Sequence, residues 1–106
     1  MRILVADDEK DLEKWLRPIF EASGIKDVTF ILDPKEAISV ISAIKPEIVL
    51  LDINFEQDID GFAIMAATRP LCPGTQFIMS SAYSDFEKKA LDAGAAGYLK
   101  KPTRVS

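Results

Sequence analysis

Too little cysteine, too little basic charge and no long apolar run exclude several whole classes of protein for this chain. A lone Cys72 cannot close a disulfide within the chain. That suits a reducing compartment, with Cys72 a small buried or loop hydrophobe. Thirteen Lys and Arg stand against seventeen Asp and Glu, for a net charge of -4 and a pI near 4.8. This balance argues against a nucleic-acid or anionic-membrane surface as the main partner. No stretch reaches the ~18 apolar residues of a membrane span, and the first residues open a strand pattern instead of a basic leader. No repeat, low-complexity tract or linker divides the 106 residues, a length for one domain and too short for two. The expectation is a single domain over residues 1–106, without a membrane segment, in the cytoplasm.

Instead, short apolar runs alternate with amphipathic segments, the pattern of an α/β protein with a parallel sheet covered by helices. Strands are expected at 2–6, 27–31, 48–51, 76–80 and 96–99. Between the first two, Leu12, Trp15, Leu16, Ile19 and Phe20 fall at helical spacing, so Trp15 is expected in the core. Pro18 lies inside that helix, where it removes a backbone donor and should kink it near Arg17, and Gly24 closes the segment. Asp33-Pro34-Lys35-Glu36 is a helix start with a capping acid and a proline at the first helical position. The second helix turns Ala37, Ile38, Ile41 and Ile44 inward and ends at Pro46. A third begins near Asp60-Gly61 with Phe62, Met65 and Ala66 inward. Ser84-Asp85-Phe86-Glu87 matches a capping box for a fourth.

The chemistry lies where the strands end. Asp7 and Asp8 follow the first apolar run and Asp52 the third, so a sheet would deliver three carboxylates to one edge. Two carboxylates about 5 Å apart repel by roughly 3 kcal/mol at an effective dielectric of ~20, and a divalent cation is the usual remedy. Strand four adds Ser80 or Ser81 and strand five adds Lys101, beyond the carboxyl ends where open parallel sheets bind ligands. Magnesium takes such oxygen ligands. An Asp beside it can accept a phosphoryl group, with metal and lysine neutralising the transferred oxygens. Asp52 stands alone on the central strand and suits the nucleophile, while the Asp7-Asp8 pair suits the metal. Plainer roles compete: Asp7 as a helix cap, Lys101 as a solvated lysine, Tyr98 as edge-strand packing.

Val5-Ala6-Asp7-Asp8-Glu9, Val49-Leu50-Leu51-Asp52-Ile53-Asn54, Asp60-Gly61-Phe62, Ser81-Ala82-Tyr83 and Ala93-Gly94-Ala95-Ala96-Gly97-Tyr98-Leu99-Lys100-Lys101-Pro102, in that order, resemble the receiver domain of two-component response regulators. The resemblance covers nearly the whole chain. It implies a flavodoxin-like, doubly wound five-stranded sheet of order 2-1-3-4-5. It implies that Asp52 is the phosphoacceptor, served by a sensor histidine kinase or a histidine phosphotransfer protein. By the same resemblance, Asp7, Asp8, Asp52 and the backbone carbonyl of Asn54 organise Mg2+, Lys101 contacts the phosphoryl group through a segment with a cis Lys101-Pro102 bond, Ser81 is the switch hydroxyl, and Tyr98 is the switch aromatic. Output would be a population shift of the surface of helix four and strand five, in a signalling domain and not an enzyme.

Two features depart from the family pattern. The loop after Asp52 lacks the usual proline and glycine, is one residue longer, and carries Glu56 and Asp58. The chain ends just past Pro102, so the fifth helix is expected to be missing and apolar surface of strands one and five uncovered. A truncation or a self-associating domain, a homodimer or another covering partner, would account for that. The competing functional reading is a degenerate receiver, a phosphorylation-independent interaction or dimerisation module. A third, a metal-dependent phosphohydrolase, is disfavoured because Asn54 stands where those enzymes have a second Asp.

Overall fold

The computed structural model describes residues 1–54 and 59–101, without the side chain of Ser84. Glu56, Asp58 and the Lys101-Pro102 bond, named above, lie outside the described residues, as does the capping role of the Ser84 side chain. Five parallel strands, β1 (Arg2–Ala6), β2 (Asp27–Ile31), β3 (Ile48–Asp52), β4 (Gln76–Ser81) and β5 (Gly97–Lys100), form one sheet in the order β2-β1-β3-β4-β5. The order and the doubly wound architecture are those expected. Between the strands run α1 (Leu12–Ala22), α2 (Pro34–Ile44), α3 (Gly61–Thr68) and α4 (Glu87–Asp92). Among the described residues no helix follows β5.

Local chemistry sets the helix ends. The Asp33 carboxylate accepts from Lys35 N–H at 2.9 Å, and Pro34, with no N–H to satisfy, takes the first helical position of α2. Asp60 caps α3 likewise, accepting from Ala63 N–H at 2.9 Å. Gly24, at φ +79°, ends α1: its own N–H reaches Glu21 O at 3.0 Å and the next, Ile25 N–H, reaches Phe20 O at 2.8 Å. This left-handed closure suits glycine because no Cβ opposes it. α1 stays helical through Pro18, at the cost of the bond that an N–H there would make to Lys14.

The two sheet faces are unequally covered. Leu4, Ala6, Val49, Leu51, Phe77 and Met79 point to one face and form the main core with Ala37 and Ile41 of α2 and Ile64 and Met65 of α3. α1 lies on the other face at its β2 end, where the Arg17 guanidinium sits 5.0 Å above the Phe30 ring. Ile3 and Val5 are buried, whereas Ile48, Leu50 and Ile78 are half-buried and Leu99 is 53% exposed. Among the described residues the less covered apolar surface of this face therefore lies on β3, β4 and β5, as expected for β5 but not for β1.

Two expectations about packing are corrected. Trp15 is not core: it is 59% exposed, as is Ile19, and no residue of α1 is fully buried. In α1 only Leu12, Leu16, Arg17 and Phe20 are half-buried, so the five-residue stripe is not covered as a whole. In α3 the inward residues are Gly61, Ile64, Met65 and Thr68, with Phe62 half-buried and Ala66 exposed. The phase is set by Gly61. A Cβ there would collide with the Asp52 carbonyl oxygen and lie 2.9 Å from Ile53 Cα, so only glycine lets α3 start against the end of β3.

Candidate functional site

Parallel pairing places the ends of β1 and β3 side by side, with Ala6 opposite Leu51, and the next residues carry the acids together. One carboxylate oxygen from each of Asp7, Asp8 and Asp52 lies within 4.8 Å of the others. Asp7 and Asp52 are buried, and Asp8 is half-buried. Each buried acid is held by its own turn: Asp7 Oδ1 accepts from Glu9 N–H at 2.9 Å and Asp52 Oδ1 from Asn54 N–H at 3.2 Å. Asp7 therefore binds a turn amide ahead of α1, whose cap position is Asp11.

Lys101 closes the cluster from β5. Its Nζ is 2.5 Å from Asp7 Oδ2 and 3.3 Å from Asp52 Oδ1, while its backbone N–H bonds Ser81 O at 2.7 Å and extends the β4–β5 ladder. A solvated surface lysine would not make these side-chain contacts to Asp7 and Asp52. Burial pushes the Asp52 carboxyl up to about 6, and the negative charge of Asp7 adds to the rise against the pull of Lys101 and of the Asn54 N–H. For Lys101 burial opposes the charge, but the hydrogen bond to Asp7 and the charges of Asp52 and Asp7 outweigh it and hold the ammonium above the ordinary lysine range.

Ser81 and Tyr98 sit one layer out. Ser81 is 1% exposed. Its hydroxyl donates to Asn54 Oδ1 at 2.7 Å and accepts from Tyr83 N–H at 3.2 Å. The Tyr98 hydroxyl donates to the carbonyl of Tyr83, so Tyr98 is more than edge packing, although its ring does lean on the core. Ser80, the other candidate hydroxyl, is paired with Asp52 across the β3–β4 ladder. The residue types and burial suit a divalent cation: three clustered carboxylates are a hard, all-oxygen donor set of the kind magnesium takes.

Three participants escaped sequence reasoning. Asn54 was expected to act through its backbone carbonyl, yet its side chain reaches Ser81, 27 positions away. Tyr83 was seen as part of a motif, but its backbone N–H and carbonyl bridge Ser81 to Tyr98. The helix start at Asp60-Gly61 was visible, but not that Gly61 touches the backbone of Asp52. A glycine directly after a capping Asp was the available signal for that close approach.

Comparison with known proteins agrees with this geometry. The sequence profile of the response regulator receiver domain matches residues 3–106. The chain is 35% identical over 106 residues to the uncharacterized transcriptional regulatory protein YhcZ of Bacillus subtilis, covering 97% of this chain and 49% of that protein. It is 32% identical over 110 residues to the positive alginate biosynthesis regulatory protein of Pseudomonas aeruginosa, covering 98% and 42%. The chain thus spans less than half the length of these relatives. Among solved structures, the Francisella response regulator 1452 receiver domain superposes with a TM-score of 0.83 at 30% identity, covering 95% of this chain and 84% of that one. The response regulator domain of Thermotoga maritima CheB superposes at 0.84 and 26% identity, covering 100% and 82%. By sequence and by fold, the chain belongs to the receiver domains of two-component response regulators.

Proposed function

We propose that Asp52 accepts a phosphoryl group from a phosphohistidine on a sensor histidine kinase or a histidine phosphotransfer protein, and that the domain so modified switches a protein-interaction surface. The observation that carries this reading is the buried Asp52 carboxylate, with Lys101 Nζ at 3.3 Å and the carboxylates of Asp7 and Asp8 beside it. In the proposed step an Asp52 oxygen attacks phosphorus, the P–N bond breaks, and the imidazole leaves with its electron pair and takes up a proton. Asn54 N–H and Lys101 both bind Oδ1, which orients the carboxylate and presents Oδ2 for attack. At neutral pH a carboxyl titrating near 6 is mostly ionised and ready to act. Lys101 then neutralises charge on the transferred oxygens.

Asp7, Asp8, Asp52 and the backbone carbonyl of Asn54 would hold Mg2+. When bound, it supplies charge neutralisation between the acids and the phosphoryl oxygens. Ser81 is the hydroxyl assigned to a phosphoryl oxygen, and Tyr98, tied to Ser81 through Tyr83, is the aromatic that reports the change at β5. The single Cys72, buried and free, suits the reducing cytoplasm as the compartment.

The test is incubation with Mg2+ and acetyl phosphate, read by intact mass. An acid-stable, base-labile phosphoryl adduct on the wild type and none on Asp52→Ala supports the reading. No adduct on the wild type, under conditions that label a control receiver, leaves the phosphorylation-independent interaction module instead.

A further inference from the structure

We infer that the Asn54 side chain is a latch on the Ser81 hydroxyl: it holds the only proton of that hydroxyl in the resting protein and so sets how readily the phosphorylated state forms. The inference rests on Asp52 being the phosphoacceptor.

A serine hydroxyl has one proton to donate. Here it goes to Asn54 Oδ1 at 2.7 Å, near the usual length for such a bond. The Ser81 oxygen also receives Tyr83 N–H at 3.2 Å. Ser81 is almost wholly buried, and the bond to Asn54 is part-buried. To donate to a phosphoryl oxygen on Asp52, the hydroxyl must first leave Asn54, and the phosphorylated state is weakened by the worth of that bond.

Asn54 is also tied to the phosphoacceptor itself. Its N–H donates to Asp52 Oδ1 at 3.2 Å, so one residue grips the acceptor by its backbone and the switch by its side chain. The series continues outward, because Tyr83 donates its backbone N–H to Ser81 and accepts the Tyr98 hydroxyl on its carbonyl. Three residues, Asn54, Ser81 and Tyr83, thus join Asp52 to the β5 aromatic without a break. Asn54 is exposed, so its side chain can be replaced without opening the core, and the replacement keeps the backbone carbonyl.

The experiment is a double-mutant cycle of Asn54→Ala and Ser81→Ala, read twice. In unmodified protein, urea unfolding reports the resting bond, and the two substitutions are expected to be non-additive. With Mg2+ and acetyl phosphate, the steady phosphorylated fraction relative to the unmodified one should rise roughly three- to tenfold in Asn54→Ala, the worth of one released hydrogen bond. The same substitution in the Ser81→Ala background should change it little. If the rise persists without Ser81, Asn54 acts by admitting or excluding water and the latch is overturned. Additive unfolding energies overturn it too. Failure of the wild type to label at all sinks the phosphoacceptor reading and the latch with it, whereas labelling with an additive cycle removes the latch alone.

Discussion

Lys101 Nζ sits 2.5 Å from Asp7 Oδ2, closer than to the Asp52 oxygen at 3.3 Å. The Lys101 ammonium, just past β5, therefore occupies a carboxylate proposed for the metal, so a bound cation and the lysine would compete for the same acid. Removing the ammonium leaves two buried carboxylates without their counter-charge. Lys101→Met is expected to destabilise the metal-free protein by about 1–3 kcal/mol at neutral pH and to bind Mg2+ more tightly. Urea unfolding and titration calorimetry would read both. Unchanged stability together with weaker Mg2+ binding would contradict this competition.

The Asp52 carboxyl titrates near 6 in the folded protein against 3.8 for the unperturbed group. The native state holds this proton more tightly than the unfolded state. Its contribution to stability is therefore most favourable below the unfolded value and declines as pH rises through about 4 to 6, by at most about 3 kcal/mol. Asp52→Asn removes this penalty. Without divalent ions the variant should be more stable than wild type at about pH 8, with the advantage vanishing by about pH 4. A stability difference independent of pH would show that burial and Asp7 do not act on Asp52 in this way.

Gly61 is held against Asp52 by backbone contact, its N–H bonding Ile53 O at 3.0 Å. Gly61→Ala must push α3 off the end of β3. A loss of about 1–3 kcal/mol is expected, with slower labelling by acetyl phosphate because the displaced backbone carries the proposed acceptor. Wild-type labelling rates with wild-type thermal stability would contradict the close approach.

Trp15, mostly exposed, and Phe77, 1% exposed, should respond in opposite ways to truncation. Trp15→Ala is expected to change unfolding free energy by less than about 1 kcal/mol, as substitutions outside the core do. Phe77→Ala should cost about 3–5 kcal/mol. Comparable losses at both positions would place Trp15 back in a packed interior.

Much of the scaffold was legible because its signals are local. Apolar runs closed by acids marked β1 and β3, and Asp33-Pro34 marked the start of α2. The gathering of Asp7, Asp8, Asp52 and Lys101 followed from the rule that strand ends of a parallel sheet share one edge. What escaped depends on how elements lie against each other. The five apolar residues of α1 show helical spacing wherever the helix rests, so the pattern cannot tell that Trp15 and Ile19 stay exposed while Leu12, Leu16 and Phe20 are half-buried. The phase of α3 turned on the contact of Gly61 with β3, which swapped Ala66 for Ile64 at the core. No local pattern links Asn54 to Ser81, because that pairing exists only once β3 and β4 lie side by side.

The most direct measurement of the central claim locates the phosphoryl group. The protein is treated with Mg2+ and acetyl phosphate and then with sodium borohydride, which reduces an acyl phosphate on Asp to homoserine, and the peptides are mapped by tandem mass spectrometry. The account predicts homoserine at position 52 and at no other acid, lost when the donor is omitted. Homoserine at position 7 or 8, or none in a sample that a control receiver shows to be competent for labelling, would contradict it.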